Sequence, residues 1–164
     1  EVINSNLDHA YIHCLSEKTS TLQQRPPQPL PVALMHGDVF LDNMIVQGDQ
    51  LMAIIDFEQA CHYYRGFDLG MVIVGTCRDR KGISFEKAGR FIRGYQKEIT
   101  LQSIERETLK TFAVYAAVAT SFWHFRHHHL RRPEPRLYDK HVELQTLADI
   151  ISKYPDSRFT ELFE

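Results

Sequence analysis

Apolar residues recur at the spacing of an α-helix over most of this chain, so one side of each helix can face a core. Five segments show this pattern or have the apolar character of a buried helix: residues 1–18, 67–77, 84–98, 103–128 and 140–154. Ser84 and Ser103 stand at the start of two of these segments and are predicted to cap the helices. A serine hydroxyl at this position can accept a hydrogen bond from a first-turn N–H. The pattern predicts a mainly helical protein.

Shorter apolar runs in the first third of the chain have the character of strands. Residues 32–35 form one run, and two more, 44–46 and 51–55, flank Gly48 and Asp49. A glycine in a two-residue loop supplies the positive φ that a tight hairpin turn requires. The sequence therefore predicts a buried strand followed by a β-hairpin, and an α+β fold in which the hairpin is small beside the helices.

Composition places these elements in one domain over residues 1–164, in which the proline-rich residues 22–30 connect the first helix to the first strand. The apolar fraction of 43% and the charged fraction of 24% are those of a globular protein. A net charge of −2 gives no general attraction to nucleic acid or to an anionic membrane, and no apolar run reaches the roughly 18 residues of a membrane span. Three cysteines without a CxxC pair favour a reducing cytoplasm.

Polar residues gather at the open end of the predicted hairpin. Counting back from the loop places Asn43 opposite Ile54, so Asn43 and Asp56 share a face as diagonal neighbours about 7–8 Å apart. Asp38 precedes this end by a few residues. The hairpin is otherwise apolar on both faces, and a buried carboxylate and amide are costly unless they bind something. A Mg²⁺ ion held by carboxylate, amide and phosphate oxygens would satisfy them.

Two motifs carry a family resemblance. Residues 36–43 are His-Gly-Asp-Val-Phe-Leu-Asp-Asn, and residues 54–58 are Ile-Ile-Asp-Phe-Glu. Together they resemble the catalytic and metal-binding segments of the protein-kinase-like fold, in its aminoglycoside phosphotransferase branch. Residues 64–70 are similar to the next motif of that branch. The Gly48-Asp49 turn and residues 121–123 are similar to the corresponding residues of its homoserine kinase subfamily. The resemblance covers roughly residues 30–150.

This resemblance implies a role for each matched polar residue. Asp38 would be the catalytic base, and Asn43 and Asp56 would hold the Mg²⁺ that bridges the phosphates of ATP. His36 and Asp68 would support the catalytic loop. The implied activity is ATP-dependent transfer of a phosphoryl group to the hydroxyl of a small polar metabolite, which asks mainly for positioning and charge neutralisation. Homoserine is the first substrate expected; choline, an aminoglycoside or a sugar are the alternatives.

Other polar residues admit two interpretations. Glu58 follows the metal-ligand position and either faces the substrate or is a solvated acid. His124, Arg126 and His128 either bind an anionic substrate or end a helix with cations that suit its dipole. The spacing of His124 and His128 also fits a metal pair, whereas Trp123 is predicted to lie in the core.

The resemblance is incomplete near the start of the chain, because no glycine-rich loop, strand lysine or partner glutamate stands before residue 30. We therefore expect a C-terminal catalytic lobe that is inactive without an N-terminal nucleotide lobe of the same polypeptide. Apolar surface left uncovered would favour a homodimer. A non-catalytic, pseudokinase-like binding lobe is the alternative, although such a lobe does not need Asp38, Asn43 and Asp56 together. A magnesium-dependent phosphohydrolase would need clustered ligands for two metals, which the sequence lacks.

Overall fold

The computed structural model describes residues 9–23, 29–80 and 82–164. Its helices are α1 (His9–Gln23), α2 (Gly66–Gly75), α3 (Phe85–Tyr95), α4 (Ser103–Phe125), α5 (Lys140–Lys153) and α6 (Ser157–Thr160). Its strands are β1 (Val32–Met35), β2 (Met44–Gln47), β3 (Gln50–Ile54), β4 (Cys61–Tyr64), β5 (Arg78–Asp79) and β6 (Gly82–Ile83). The strands pair antiparallel as β1–β4, β2–β3 and β5–β6. The predicted α+β fold, mainly helical, is confirmed.

Helix α4 lies at the centre of the core, between α2 and α5. Its inward face carries Ala113, Ala116 and Ala117, all fully buried, and such small side chains let neighbouring helices approach closely. Apolar residues of α2 and α5 complete the core around it. Among the described helices, none combines the length and the apolar character that crossing a bilayer requires.

One predicted helix start differs from the observed one. Helix α1 runs from His9 to Gln23, and the predicted residues 1–8 lie outside the described part of the chain. The Ser84 hydroxyl caps α3 as predicted, at 3.4 Å from the Lys87 nitrogen. The prediction that Ser103 caps α4 is wrong. Gln102 is the N-cap, because its side chain and that of Glu105 each accept the other's backbone N–H in a capping box.

Glu105 also forms a buried ion pair that joins α4 to the start of α2. Its carboxylate is 2% exposed and accepts two hydrogen bonds from the Arg65 guanidinium, one of them 2.6 Å long. Arg65 donates a further hydrogen bond to the Thr100 carbonyl, at 3.0 Å. This pair could not be predicted from local sequence patterns, because its members are 40 positions apart.

We expect Glu105→Gln to lower the free energy of unfolding by about 3 kcal/mol, because the substitution keeps the cap but leaves the Arg65 charge without its partner. The matched control is Glu86→Gln in the exposed Glu86–Arg90 pair of α3, where the loss should stay below about 0.5 kcal/mol. Urea denaturation of both variants measures the difference. Similar losses in the two variants would contradict the structural importance of the buried pair.

The hairpin register differs from the predicted one. Gln47 pairs with Gln50 as counted from the loop, but a β-bulge then places Ile45 opposite Ala53 and Met44 opposite Ile54. Asn43 is therefore not opposite Ile54. A bulge inserts one residue into one strand only and shifts all pairs beyond it, which alternation along the sequence cannot reveal.

The prediction that the first strand and the hairpin are buried is also wrong. The helices bury their apolar faces against one another, and no described element covers the hairpin. The exposed apolar side chains of this region, called here the open apolar face, are Val32, Leu34, Leu41, Ile45, Val46, Leu51, Met52, Ile54, Ile55 and Phe57. Only Met35 of β1 is buried.

Candidate active site

Asp68, in the first turn of α2, holds the loop that follows β1. Its carboxylate accepts the backbone N–H of His36 and that of Gly37, each at 2.8 Å. Two charge-assisted hydrogen bonds from consecutive amides fix the loop against the helix. The contacts are those expected of a loop-supporting residue.

The His36 ring joins the loop to the end of the hairpin. Its Nδ1 accepts the N–H of Asp38 at 3.2 Å, so Nε2 carries the proton and donates it to the Ile55 carbonyl at 2.9 Å. The ring is buried and lies against Phe57, with 4.5 Å between ring centroids. One side chain thus fixes the backbone next to both Asp38 and Asp56.

Asn43 orients Asp38 directly. Its Nδ2 donates to the Asp38 carbonyl at 2.8 Å and to the Asp38 carboxylate at 3.0 Å. Asn43 is buried, and its own backbone carbonyl accepts the Ile55 N–H at 2.9 Å. Because the amide uses its donor end on Asp38, its Oδ1 is left to act as an oxygen ligand.

The pKa of Asp38 is raised above that of an ordinary carboxyl group, chiefly by burial. The hydrogen bond from Asn43 lowers the pKa, whereas the negative charges of Asp42 and Asp56 raise it. A carboxylate with a raised pKa accepts a proton more readily near neutral pH.

Asp56 has a left-handed backbone, with φ 66° and ψ 62°. No other non-glycine residue in the described ranges has a positive φ. Asp and Asn tolerate this conformation better than most residues, yet it remains unfavourable and is often retained where function requires it. The conformation turns the chain sharply at the end of β3, directly into the 3₁₀ turn Phe57–Gln59.

Gly37 was not singled out from the sequence, although it stands between the His and Asp of the motif. Its φ is 81°, and a Cβ atom there would lie 2.7 Å from the Gln59 carbonyl oxygen. The Asp38 loop and the turn after Asp56 thus pack backbone against backbone. A glycine between two candidate site residues was the available signal, because only glycine permits such a close approach.

We expect Gly37→Ala to lower the free energy of unfolding by about 3 kcal/mol, the sum of left-handed strain and steric overlap. Gly48→Ala is the matched control, because Gly48 also has a positive φ of 62° but has open space around it. Its cost should be about 1 kcal/mol. Chemical denaturation of both variants tests the difference. A cost at Gly37 no greater than at Gly48 would show that the backbone contact with Gln59 is unimportant.

The other candidate residues lie in the turn after Asp56 and around the C-terminal end of α4. Glu58 is exposed in the turn that follows Asp56. The start of α2 meets the middle of α4 where Phe67 contacts Tyr115, and the helix rise places His124 about 14 Å farther along the axis. Substrate-side roles for Glu58, His124, Arg126 and His128 stay predictions.

The donor set fits a magnesium ion. Asn43 and Asp56 offer an amide and a carboxylate oxygen, the hard ligands that Mg²⁺ prefers. The described residues contain no group of three or more His, Cys, Asp or Glu side chains arranged to hold a metal. Magnesium does not require one, because it commonly takes one or two carboxylates and completes its shell with water and phosphate oxygens.

Comparison with known families identifies the class of protein. Residues 5–107, more than half of the chain, match the phosphotransferase enzyme family. The chain therefore belongs to that family. The match includes β1, the hairpin, α2 and every member of the Asp38–Asn43–Asp56 cluster.

Individual relatives sharpen the comparison. The chain is 31% identical over 105 residues to the homoserine kinase of Nitrobacter winogradskyi, covering 63% of this chain and 32% of that protein. It is 35% identical over 81 residues to the homoserine kinase of Zymomonas mobilis, covering 49% of this chain and 25% of that protein. The chain thus spans about a third or less of the length of these curated relatives.

The fold is that of a solved kinase-family structure. A choline/ethanolamine kinase family protein from Mesorhizobium loti superposes with a TM-score of 0.69 at 18% sequence identity. The alignment covers 98% of this chain and 52% of that protein. The family match and this neighbour agree on a kinase-like α+β fold.

Proposed function

We propose that this chain is the catalytic lobe of an ATP-dependent small-molecule kinase, with Asp38 as catalytic base and Asn43 and Asp56 as magnesium ligands. The observation that carries the proposal is the hydrogen-bonded Asp38–Asn43 pair, tied through His36 to the backbone next to Asp56. Membership of a phosphotransferase family supports the reaction class.

In this mechanism the substrate hydroxyl donates its proton to the Asp38 carboxylate as its oxygen attacks the γ-phosphorus of ATP. The new O–P bond forms while the bond to the leaving ADP oxygen breaks. Asn43 keeps the Asp38 carboxylate oriented, and His36 and Asp68 hold the loop, because this reaction depends on positioning. Magnesium, when bound through Asn43 and Asp56, would neutralise phosphate charge.

Homoserine is the substrate we propose first, because the curated relatives cited above are homoserine kinases. Choline is the principal alternative, because the structural neighbour belongs to a choline/ethanolamine kinase family. The two substrates ask for different pockets: homoserine needs a cation for its carboxylate, and choline needs an aromatic cage. An aminoglycoside or a sugar remains the third class of acceptor.

We further propose that an N-terminal nucleotide lobe of the same polypeptide covers the open apolar face, and we call the two lobes together the intact enzyme. An apolar surface of this extent beside a catalytic cluster is typical of an interface. A homodimer through the same face is the alternative.

The compartment we propose is the cytoplasm. The thiols of Cys14, Cys61 and Cys77 are free in the structure, which suits a reducing environment.

The experiment is a coupled ADP-release assay of the intact enzyme and of the 164-residue chain with homoserine, choline, an aminoglycoside and sugars. We expect the highest kcat/KM for homoserine and no turnover by the chain alone. A higher kcat/KM for choline would identify choline rather than homoserine as the substrate, with the proposed mechanism unchanged. If the intact enzyme phosphorylated none of these acceptors, the proposed kinase activity would be contradicted, and a non-catalytic binding lobe would be favoured.

A further inference from the structure

The four histidines of residues 124–129 fall into two groups, without and with a buried ring nitrogen that lacks a hydrogen-bond partner. His127 stacks on Trp123, with ring centroids 4.6 Å apart and planes 14° from parallel. His129 stacks on Tyr138 and its Nε2 lies 3.1 Å from the Tyr138 carbonyl oxygen. Both of these rings are therefore held by stacking on an aromatic side chain. Trp123 is half exposed, which corrects the prediction that it lies in the core, since it covers the outside of this segment.

His124 and His128 form the second group. Each has a buried Nδ1 atom without a hydrogen-bond partner. Buried side-chain nitrogens nearly always have a protein, water or ion partner, so an orphaned pair on neighbouring rings calls for a ligand. The two rings are 20° from parallel, with centroids 5.5 Å apart.

The geometry of the pair suits a shared metal ion. Two histidines four residues apart on one helical face are a recurrent zinc-binding arrangement. Imidazoles bound to one tetrahedral zinc ion at 2.0–2.1 Å would have ring centres about 5 Å apart, close to the observed separation. The backbone also widens here: α4 gives way to the π-helical segment Arg126–Arg131 between the two histidines, and π-helical turns often mark functional sites.

The described residues hold no assembled group of three His, Cys, Asp or Glu ligands around the pair. Water would therefore complete the coordination shell of an ion bound by the two histidines.

We propose that His124 and His128 bind a divalent transition-metal ion such as Zn²⁺ or Ni²⁺, with water completing the shell. Imidazole nitrogen suits these borderline metals, whereas Mg²⁺ prefers oxygen. The site is thus chemically distinct from the oxygen ligands of Asn43 and Asp56, and it does not depend on the proposed kinase activity.

The test is calorimetric titration of the 164-residue chain with Zn²⁺, and separately with Ni²⁺, in excess Mg²⁺ to occupy the oxygen site. We expect one ion per chain. His124→Gln and His128→Gln should each weaken binding at least tenfold. His129→Gln is the matched control from the same segment, because its ring packs on Phe125, Tyr138 and His141, and it should leave affinity within two-fold.

A second measurement on the unaltered chain guards against variants that fail to fold. Co²⁺ should shift the NMR signals of the His124 and His128 rings and leave those of the exposed His62 on β4 unchanged. Absence of a Zn²⁺ or Ni²⁺ complex with the folded chain would overturn the proposal. So would equal affinity in all the histidine variants, or Co²⁺ shifts located at other histidines, since either would place the metal elsewhere.

Discussion

Asp38→Asn in the intact enzyme is expected to lower kcat by about 10²–10⁴-fold while the affinity for Mg-ATP stays within a few-fold. The substitution keeps the shape of the side chain and its contact with Asn43, but it removes the group that accepts the hydroxyl proton. Loss of an interaction made only in the transition state lowers kcat and kcat/KM together. Steady-state kinetics with ATP and the acceptor substrate measures kcat and kcat/KM for the variant and the unaltered enzyme.

Asp42→Asn is the matched control for this prediction. Asp42 lies in the same loop, and its charge acts on Asp38, but its side chain is exposed and the mechanism gives it no role. Its replacement should change kcat less than about five-fold, the scale of a modest electrostatic effect. Near-normal turnover by Asp38→Asn, or equal losses in both variants, would remove Asp38 as the base.

Asp56→Asn should weaken Mg-ATP binding at least ten-fold and raise the Mg²⁺ concentration needed for half-maximal activity. The change removes a negative oxygen ligand from a hard cation that prefers carboxylates. Asparagine also tolerates the left-handed backbone seen at this position, so the variant tests charge rather than strain. Activity measured over a range of Mg²⁺ concentrations, together with direct nucleotide titration, gives both quantities.

The control here is Asp49→Asn in the hairpin loop, which removes an equal charge from the same hairpin at its opposite end. Its Mg²⁺ dependence should match that of the unaltered enzyme. If Asp49→Asn and Asp56→Asn shifted the Mg²⁺ dependence alike, the effect would be one of general charge, and Asp56 would not be a ligand.

Much of this architecture could be predicted from local signals. Helical periodicity located α3, α4 and α5, because their buried faces depend on the order of residues along one helix. The loop from His36 to Asn43 was recognisable as a contiguous motif, and the hydrogen bonds of Asp38 with His36 and with Asn43 join residues only two and five positions apart. Such short-range arrangements are specified by the residues themselves.

The features that were missed depend on distant parts of the chain or on small backbone changes. The pairing of β1 with β4 joins strands separated by a hairpin and a turn. The bulge in β3 adds one residue to a strand without any marker such as glycine. Exposure of the open apolar face could not be read from its apolar pattern, because that pattern shows which residues avoid water but not what covers them.

The central claim is that Asn43 and Asp56 hold the catalytic metal beside Asp38. The most direct test is a crystal structure of the intact enzyme with Mn²⁺ in place of Mg²⁺ and a non-hydrolysable ATP analogue, with the metal located by its anomalous scattering. We expect an anomalous peak bonded to Asn43 Oδ1, to an Asp56 carboxylate oxygen and to phosphate oxygens, with the Asp38 carboxylate facing the acceptor pocket. A metal bound to the phosphates without Asn43 and Asp56 would contradict it.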